Sequence, residues 1–241
     1  LEESCFSLFE KYKIKKTSLA IQKQLKKEYD RLTDSIDLNV PYIVFFPHYQ
    51  PEATTSPSGD IFVNQQLCVE SLLKNTPEDV LVYVKEHPHQ YMGHTEGFRG
   101  RTAQFYRDLK ENKRVRLVPF ELNSFELMKN AKAVSTVTGT VGWEAIVQGK
   151  PVIIFGSIWY ERYSGVLRIT DQESASRIEE FIENFRYEEN DLLAYLFAFA
   201  KHSIRAYHYL GFEKLCDVAE DECVNNIVDH LLLKYNGISD L

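Results

Sequence analysis

The sequence predicts an α/β protein: a doubly wound, mostly parallel sheet, with a helical lead-in before it and helices after it. Three observations carry this. Short apolar runs at 42–46, 80–84, 115–118, 133–137 and 152–155 alternate with helix-compatible segments. Continuous apolar strands separated by helices imply a parallel sheet covered on both faces. The polar clusters at 47–57, 86–94, 119–123, 138–140 and 156–164 each follow one of those runs. In open α/β sheets the ligand lies outside the carboxyl ends of the strands, so these five loops are expected on one rim.

Taken in order, residues 1–36 are charged and place Leu19, Ile21, Leu25 and Leu32 at loosely helical spacing, which predicts a lead-in helix. Tyr42–Phe46 is the first strand, ended by Pro47. A helix is predicted over 61–73, a strand over 80–84, a helix over 102–110 and a strand over 115–118. The next helix spans 123–130, with Asn123 or Ser124 as its cap. A strand at 133–137, a helix at 141–148 stopped by Gly149, and a strand at 152–155 complete the alternation. Helices are then predicted at 172–186, 191–210 and 212–235. The domain reading is a lead-in over 1–40, a Rossmann-like domain over 41–171 and packed helices over 172–241.

Composition bounds the function. The chain has 241 residues, 44% hydrophobic and 26% charged, with a net charge of −7. That is the balance of a globular protein, and it argues against a non-specific nucleic-acid binder, which needs a basic face. Cys5, Cys68, Cys216 and Cys223 include no C-x-x-C pair, so neither a zinc ribbon nor a thioredoxin-like motif is supported, and a reduced cytosolic protein is expected. No apolar run reaches the ~18 residues of a membrane span, and no secretory signal is expected. The chain begins with Leu1 rather than Met, which predicts a piece of something longer. A P-loop, a G-x-G-x-x-G after the first strand, a G-x-S-x-G elbow and an H-E-x-x-H pair are all absent from the sequence. No metal site is expected.

Three clusters carry the chemistry. The stretch 135–145, STVTGTVGWEA, reads as strand, tight turn and helix start. Backbone N–H groups at the helix start, flanked by the Thr138 and Thr140 hydroxyls, make an anion site, and Glu144 lies one turn further on, within reach of a sugar hydroxyl. An ordinary βαβ turn capped by a Thr has the same pattern. In VKEHPH, residues 84–89, a strand ends in Lys85, Glu86 and His87, with Pro88 stiffening the chain and holding His87 out of helical dihedrals. A rigid His beside a Lys suits a phosphate oxygen; a His capping a carbonyl is the plainer alternative. The loop after the first strand, FPHYQPEATT, is fixed by two prolines, carries His48, Tyr49, Gln50, Glu52 and two threonines, and reads either as a surface loop or as a contact for donor or acceptor. Trp159, Tyr160 and Tyr163 can stack on a base or sugar, or pack a seam.

Together, FFPHYQPEATTSP, VYVKEHP and STVTGTVGWEAIVQGKPVIIFG, over residues 41–163, resemble bacterial capsule and surface polysaccharide biosynthesis proteins. Those proteins are similar to glycosyltransferases of the two-domain GT-B type, and this chain resembles their C-terminal, donor-binding half. The resemblance implies that His87 and Pro88 are the pair with which sialyl- and Kdo-type transferases hold the donor phosphate. It also implies that Ser135, Thr138, Gly139 and Thr140 contact the same phosphate and that Glu144 binds ribose hydroxyls. His87 then acts on the leaving group, and Glu52 is the rim carboxylate nominated as base. No cofactor is implied; the donor is a nucleotide sugar, a CMP-sugar in preference to a UDP-sugar. The implied partners are that donor, a carbohydrate or lipid-linked saccharide acceptor and an upstream acceptor-binding domain, with no nucleic acid. The implied location is the cytoplasm, at most peripheral at the inner face of the membrane. Two other classes share the pattern: a nucleotide-sugar 2-epimerase, and a non-catalytic domain of a polysaccharide assembly complex.

Overall fold

The structure, a computed structural model, describes residues 7–52, 55–92, 97–207 and 212–239. They form two compact units, one running to Tyr187 and the other from Glu188.

The first unit opens with α1 (Leu8–Leu32). Ser7 accepts the Glu10 N–H while the Glu10 carboxylate takes the Ser7 N–H, a reciprocal cap that satisfies two orphan donors. Only the C-terminal half of α1 is buried, through Gln22, Leu25 and Tyr29. Six strands follow: β1 (Tyr42–Phe46), β2 (Leu81–Val84), β3 (Val115–Leu117), β4 (Ala133–Thr136), β5 (Val152–Ile154) and β6 (Val166–Arg168). Their order is β3-β2-β1-β4-β5-β6, and every pairing is parallel. The helices between them are α2 (Gln66–Lys74), α3 (Ala103–Glu111), α4 (Ser124–Asn130), α5 (Thr140–Val147), α6 (Gln172–Ser176) and α7 (Ile178–Asn184).

Parallel strands covered on both faces need apolar side chains on both, and the sequence supplies them. Ile43, Phe45, Val82 and Val84 pack with Leu25 and Tyr29 of α1, Leu72 of α2, Tyr106 of α3 and Ile178 of α7. On the other face Tyr42 and Tyr83 stack with ring centroids 4.2 Å apart, and the Tyr42 hydroxyl donates to the Leu127 carbonyl of α4 at 2.7 Å. The Tyr83 hydroxyl donates to the Asp37 carbonyl at 2.7 Å, so both phenols of this pair have an acceptor, as burial of a hydroxyl requires.

Several boundaries differ from expectation. The strand β6 is not foreseen, because three residues with Arg168 exposed carry no readable alternation. The helix expected at 61–73 is a 3-10 turn, Asp60–Val63, followed by α2. That expected at 172–186 is interrupted at Arg177. In the second unit α8 (Glu189–Lys201) stops at His202 rather than reaching 210, of which 208–210 lie outside the described residues. The expected 212–235 helix is divided into α9 (Glu213–Cys216) and α10 (Glu220–Ser239), because Asp217 takes a left-handed conformation with φ 47°. Among the described residues, no helix is long and apolar enough to cross a membrane.

Candidate functional site

The sheet order places β1 beside β4 as well as β2, so the winding reverses between β1 and β4. A crevice opens at the carboxyl ends of the strands at such a switch point. Here it is a cavity of about 500 Å³. Phe46, Pro47, His48, Tyr49 and Glu52 line it after β1, and Lys85 to His89 after β2. Thr136, Thr138, Gly139, Thr140, Val141 and Glu144 line it from β4 into α5, with Ser124 from the start of α4.

The floor is the start of α5. Its N-cap is Gly139, and no side chain caps it. The first-turn N–H groups of a helix lack internal acceptors and carry the positive end of the macrodipole, so an uncapped start favours an anion. Glycine is needed at 139, since a Cβ there would lie 2.7 Å from Thr136 Oγ1. The Tyr160 hydroxyl donates to the Gly139 carbonyl and holds the turn from behind. That phenol crosses α5 at Gly142, where any Cβ would overlap the Tyr160 hydroxyl.

His87 stands exposed at the rim as the cap of a short 3-10 turn, Pro88–Tyr91. Its Nδ1 accepts the His89 N–H at 3.1 Å, so the neutral ring carries its proton on Nε2. Desolvation by the cavity walls, then the adjacent His89, lowers its pKa below the ordinary value, against the pull of Glu86 and Glu52. The ring is therefore an uncharged donor at neutral pH. His89 continues the wall, with centroids 4.9 Å from His87 and 6.5 Å from Tyr49. Glu144 is exposed, lines the cavity, and its carboxylate has no hydrogen-bond partner among the described residues.

His48 is placed differently from an open ligand. Its Nε2 accepts the Thr138 N–H at 2.9 Å and its Nδ1 lies 3.0 Å from Glu52 Oε2. Accepting a backbone N–H on Nε2 leaves the proton on Nδ1, directed at the Glu52 carboxylate. His48 thus joins the β1 loop to the end of β4 and withdraws the Thr138 N–H from the anion site. Lys85 is also committed: its ammonium donates to the carbonyls of Pro119, Phe120 and Leu122, and burial lowers its pKa. It braces the loop after β3. Gln50 lies behind the wall, its side-chain amide donating to Thr55 Oγ1 at 2.6 Å and its backbone N–H donating to Gln90 Oε1 at 2.9 Å. Ser135 is fully buried with its hydroxyl unpaired and does not border the cavity; Thr136, its neighbour on β4, does. Among the named candidates, His87, Pro88, Thr138, Gly139, Thr140, Glu144, His48, Glu52 and Lys85 come together, and Gln50 and Ser135 stand outside.

Sequence reasoning misses the pair beneath the rim. Glu86 and Arg101 have side chains 0% and 3% exposed, with Arg101 Nε 2.9 Å from Glu86 Oε2. The only sequence signal is a charge at a strand end; the arginine stands in a distant loop. Among the described residues, no group of three or more His, Cys, Asp or Glu is placed to hold a metal ion.

Comparison with known proteins follows the same outline. Residues 56–204, more than half of the chain, match the family described as "Capsule polysaccharide biosynthesis protein". A stretch of 95 residues is 32% identical to the capsule polysaccharide modification protein LipA of Neisseria meningitidis serogroup B; it is 39% of this chain and 12% of that protein. Among solved structures, the chain is similar to Thermosulfurimonas dismutans KpsC, a beta Kdo 2,7 transferase. That likeness has 19% identity and TM-score 0.44, covering 74% of this chain and 52% of the other. The UDP-GlcNAc 2-epimerase of Methanocaldococcus jannaschii gives 14% identity and TM-score 0.45, covering 73% and 50%. The chain thus spans about half the length of these structures and an eighth of LipA.

Proposed function

The chain belongs to the capsule polysaccharide biosynthesis protein family, and from that premise we propose that its cavity holds the nucleotide of an activated sugar for glycosyl transfer in capsule or surface polysaccharide synthesis. One observation carries the reading: one cavity at the β1/β4 switch joins a helix start without a side-chain cap, the His87 donor and the Glu144 carboxylate, which has no hydrogen-bond partner among the described residues. The N–H groups at the start of α5 and His87 Nε2 bind the donor phosphate. Glu144 accepts hydrogen bonds from the ribose hydroxyls, and the acceptor saccharide approaches from the open side. As the sugar departs, charge accumulates on the nucleotide phosphate. Donors already aimed at that phosphate lower the barrier without reorganisation, which makes the reading metal-independent.

In a GT-B enzyme this part is the donor-binding half, with acceptor groups supplied by a facing domain. A pyrimidine nucleotide is favoured, CMP over UDP, by the His87–Pro88 resemblance. Glu52 is the rim carboxylate available as base, although its contact with His48 gives it a positioning task as well. Calorimetry with CMP, UDP, GDP and CDP tests the reading. Binding to the folded state alone at ~100 times Kd adds about 2.7 kcal/mol of stability, so a thermal shift reports it independently. No binding by any of the four at millimolar concentration overturns it. Release of free nucleotide from a UDP-sugar without acceptor shifts the assignment to a 2-epimerase; binding without turnover shifts it to a non-catalytic domain.

A further inference from the structure

Two histidine loops at the rim leave different strands, yet their backbones are tied to one buried charge pair. The Glu86 carboxylate accepts the His87 N–H on Oε1 at 2.8 Å. Its Oε2 accepts Arg101 Nε at 2.9 Å and the Tyr106 hydroxyl at 2.7 Å. The same guanidinium donates from Nη2 to the His48 carbonyl at 2.9 Å and lies 4.2 Å from the Phe105 ring centroid. From His48 the chain continues through Nε2 to the Thr138 N–H. The ends of β1, β2 and β4, which surround the cavity, are thus joined by one run of hydrogen bonds. Arg101 does not border the cavity, and the Glu86 side chain has no exposed surface.

Taking two charges out of water is costly, and an apolar pair of the same volume is often as stable or more so. A planar guanidinium has a property no apolar residue supplies: several donors fixed in one plane, able to hold two acceptors at set positions. We propose that Arg101 and Glu86 are positioning residues, a rigid brace that fixes the two rim imidazoles relative to each other for a nucleotide phosphate. This rests on the nucleotide reading above for what the imidazoles serve; the brace itself rests on the contacts alone. The pair acts only through His48 and His87. Geometry at such sites must be held closely, because misplacement by about 1 Å costs ~10²-fold.

The test uses the whole chain and two variants. Removing one charge leaves the other buried without a partner, so Glu86→Gln and Arg101→Met are combined. Arg101→Lys keeps the charge but cannot span both acceptors. Long-range proton–nitrogen NMR of the imidazoles reads the tautomers. Wild type is expected to show a single tautomer for each histidine, His48 with its proton on Nδ1 and His87 on Nε2. In both variants, with cooperative melting retained, the two histidines are expected to change together to averaged tautomers. CMP affinity by calorimetry is expected to weaken by about 10–100-fold, the scale seen when partners behind a ligating histidine are removed. Wild-type imidazole spectra in either folded variant overturn the brace. If the double variant does not fold, Arg101→Lys decides by the same spectra. If wild type binds no nucleotide while the tautomers still respond, the nucleotide reading fails and the brace stands.

Discussion

The two nitrogens of His87 have separate tasks. Nδ1 is held by the His89 N–H, so Nε2 is left to donate. His87→Ala is expected to keep the fold and lower transfer by ~10²–10³ in kcat, the usual cost of losing one donor to developing charge. Full activity would show the ring to be structural. The sign of the pH dependence follows from the lowered pKa. The ring is neutral above its ordinary value near 6.5 and takes a proton only at lower pH. A cation binds the phosphate better than a neutral donor, so affinity for a nucleotide sugar is expected to rise as pH falls through that range. By linkage the bound phosphate raises the His87 pKa. His89, Glu86, Glu52 and His48 also bear on this ring, so the comparison is with His87→Ala, in which the rise should disappear. Glu144 gives a second test. Hydrogen bonds to a charged acceptor contribute ~1.5–3 kcal/mol, so wild type is expected to prefer a ribonucleotide over its 2′-deoxy form and Glu144→Ala to lose that preference. An unchanged preference leaves Glu144 as a helix residue, helped by the macrodipole to less than ~1 kcal/mol.

At the level of elements, α5 depends on one close approach. Tyr160 reaches the Gly139 carbonyl across Gly142, where a methyl group has no room. Gly142→Ala is therefore expected to destabilise by roughly 1–3 kcal/mol, although alanine is the better helix former, because overpacking outweighs propensity. Tyr160→Phe in the same chain, which removes the hydroxyl, should recover part of the loss in a denaturant melt. Lack of any recovery would place the strain elsewhere. The start of α4 is an ordinary cap by contrast. Asn123 accepts the N–H groups of Phe125 and Glu126, and Asn123→Ala is expected to cost ~1 kcal/mol. The two helix starts differ: α4 is capped by its own Asn123 side chain, and α5 has no side-chain cap.

For the molecule as a whole, the sheet and the cavity belong to the unit that ends at Tyr187. A chain ending there carries the sheet, its facing helices and every cavity residue. It is expected to melt cooperatively and to keep the nucleotide affinity of the longer chain within a few-fold, by calorimetry. Loss of cooperative melting would mean that the unit beginning at Glu188 is required for folding.

The apolar runs at 42–46, 80–84, 115–118, 133–137 and 152–155 determined the α/β architecture, because strands buried on both faces have little choice of residue. The same alternation placed the polar loops on one rim. It also singled out His87 and Thr138 to Thr140, which lie within a few residues of a strand end, and Glu144, one turn into the helix that follows. What the sequence could not supply is partnership across long separations. Lys85 looked like a phosphate ligand until the fold brought three carbonyls of the loop after β3 to its ammonium. His48 looked like an open contact until the end of β4 met its ring. Glu86 and Arg101 gave no sign of each other. Local periodicity is written in neighbouring residues and survives in any single stretch of chain. Which donor meets which acceptor depends on where separate strands end in space, and only the folded sheet decides that.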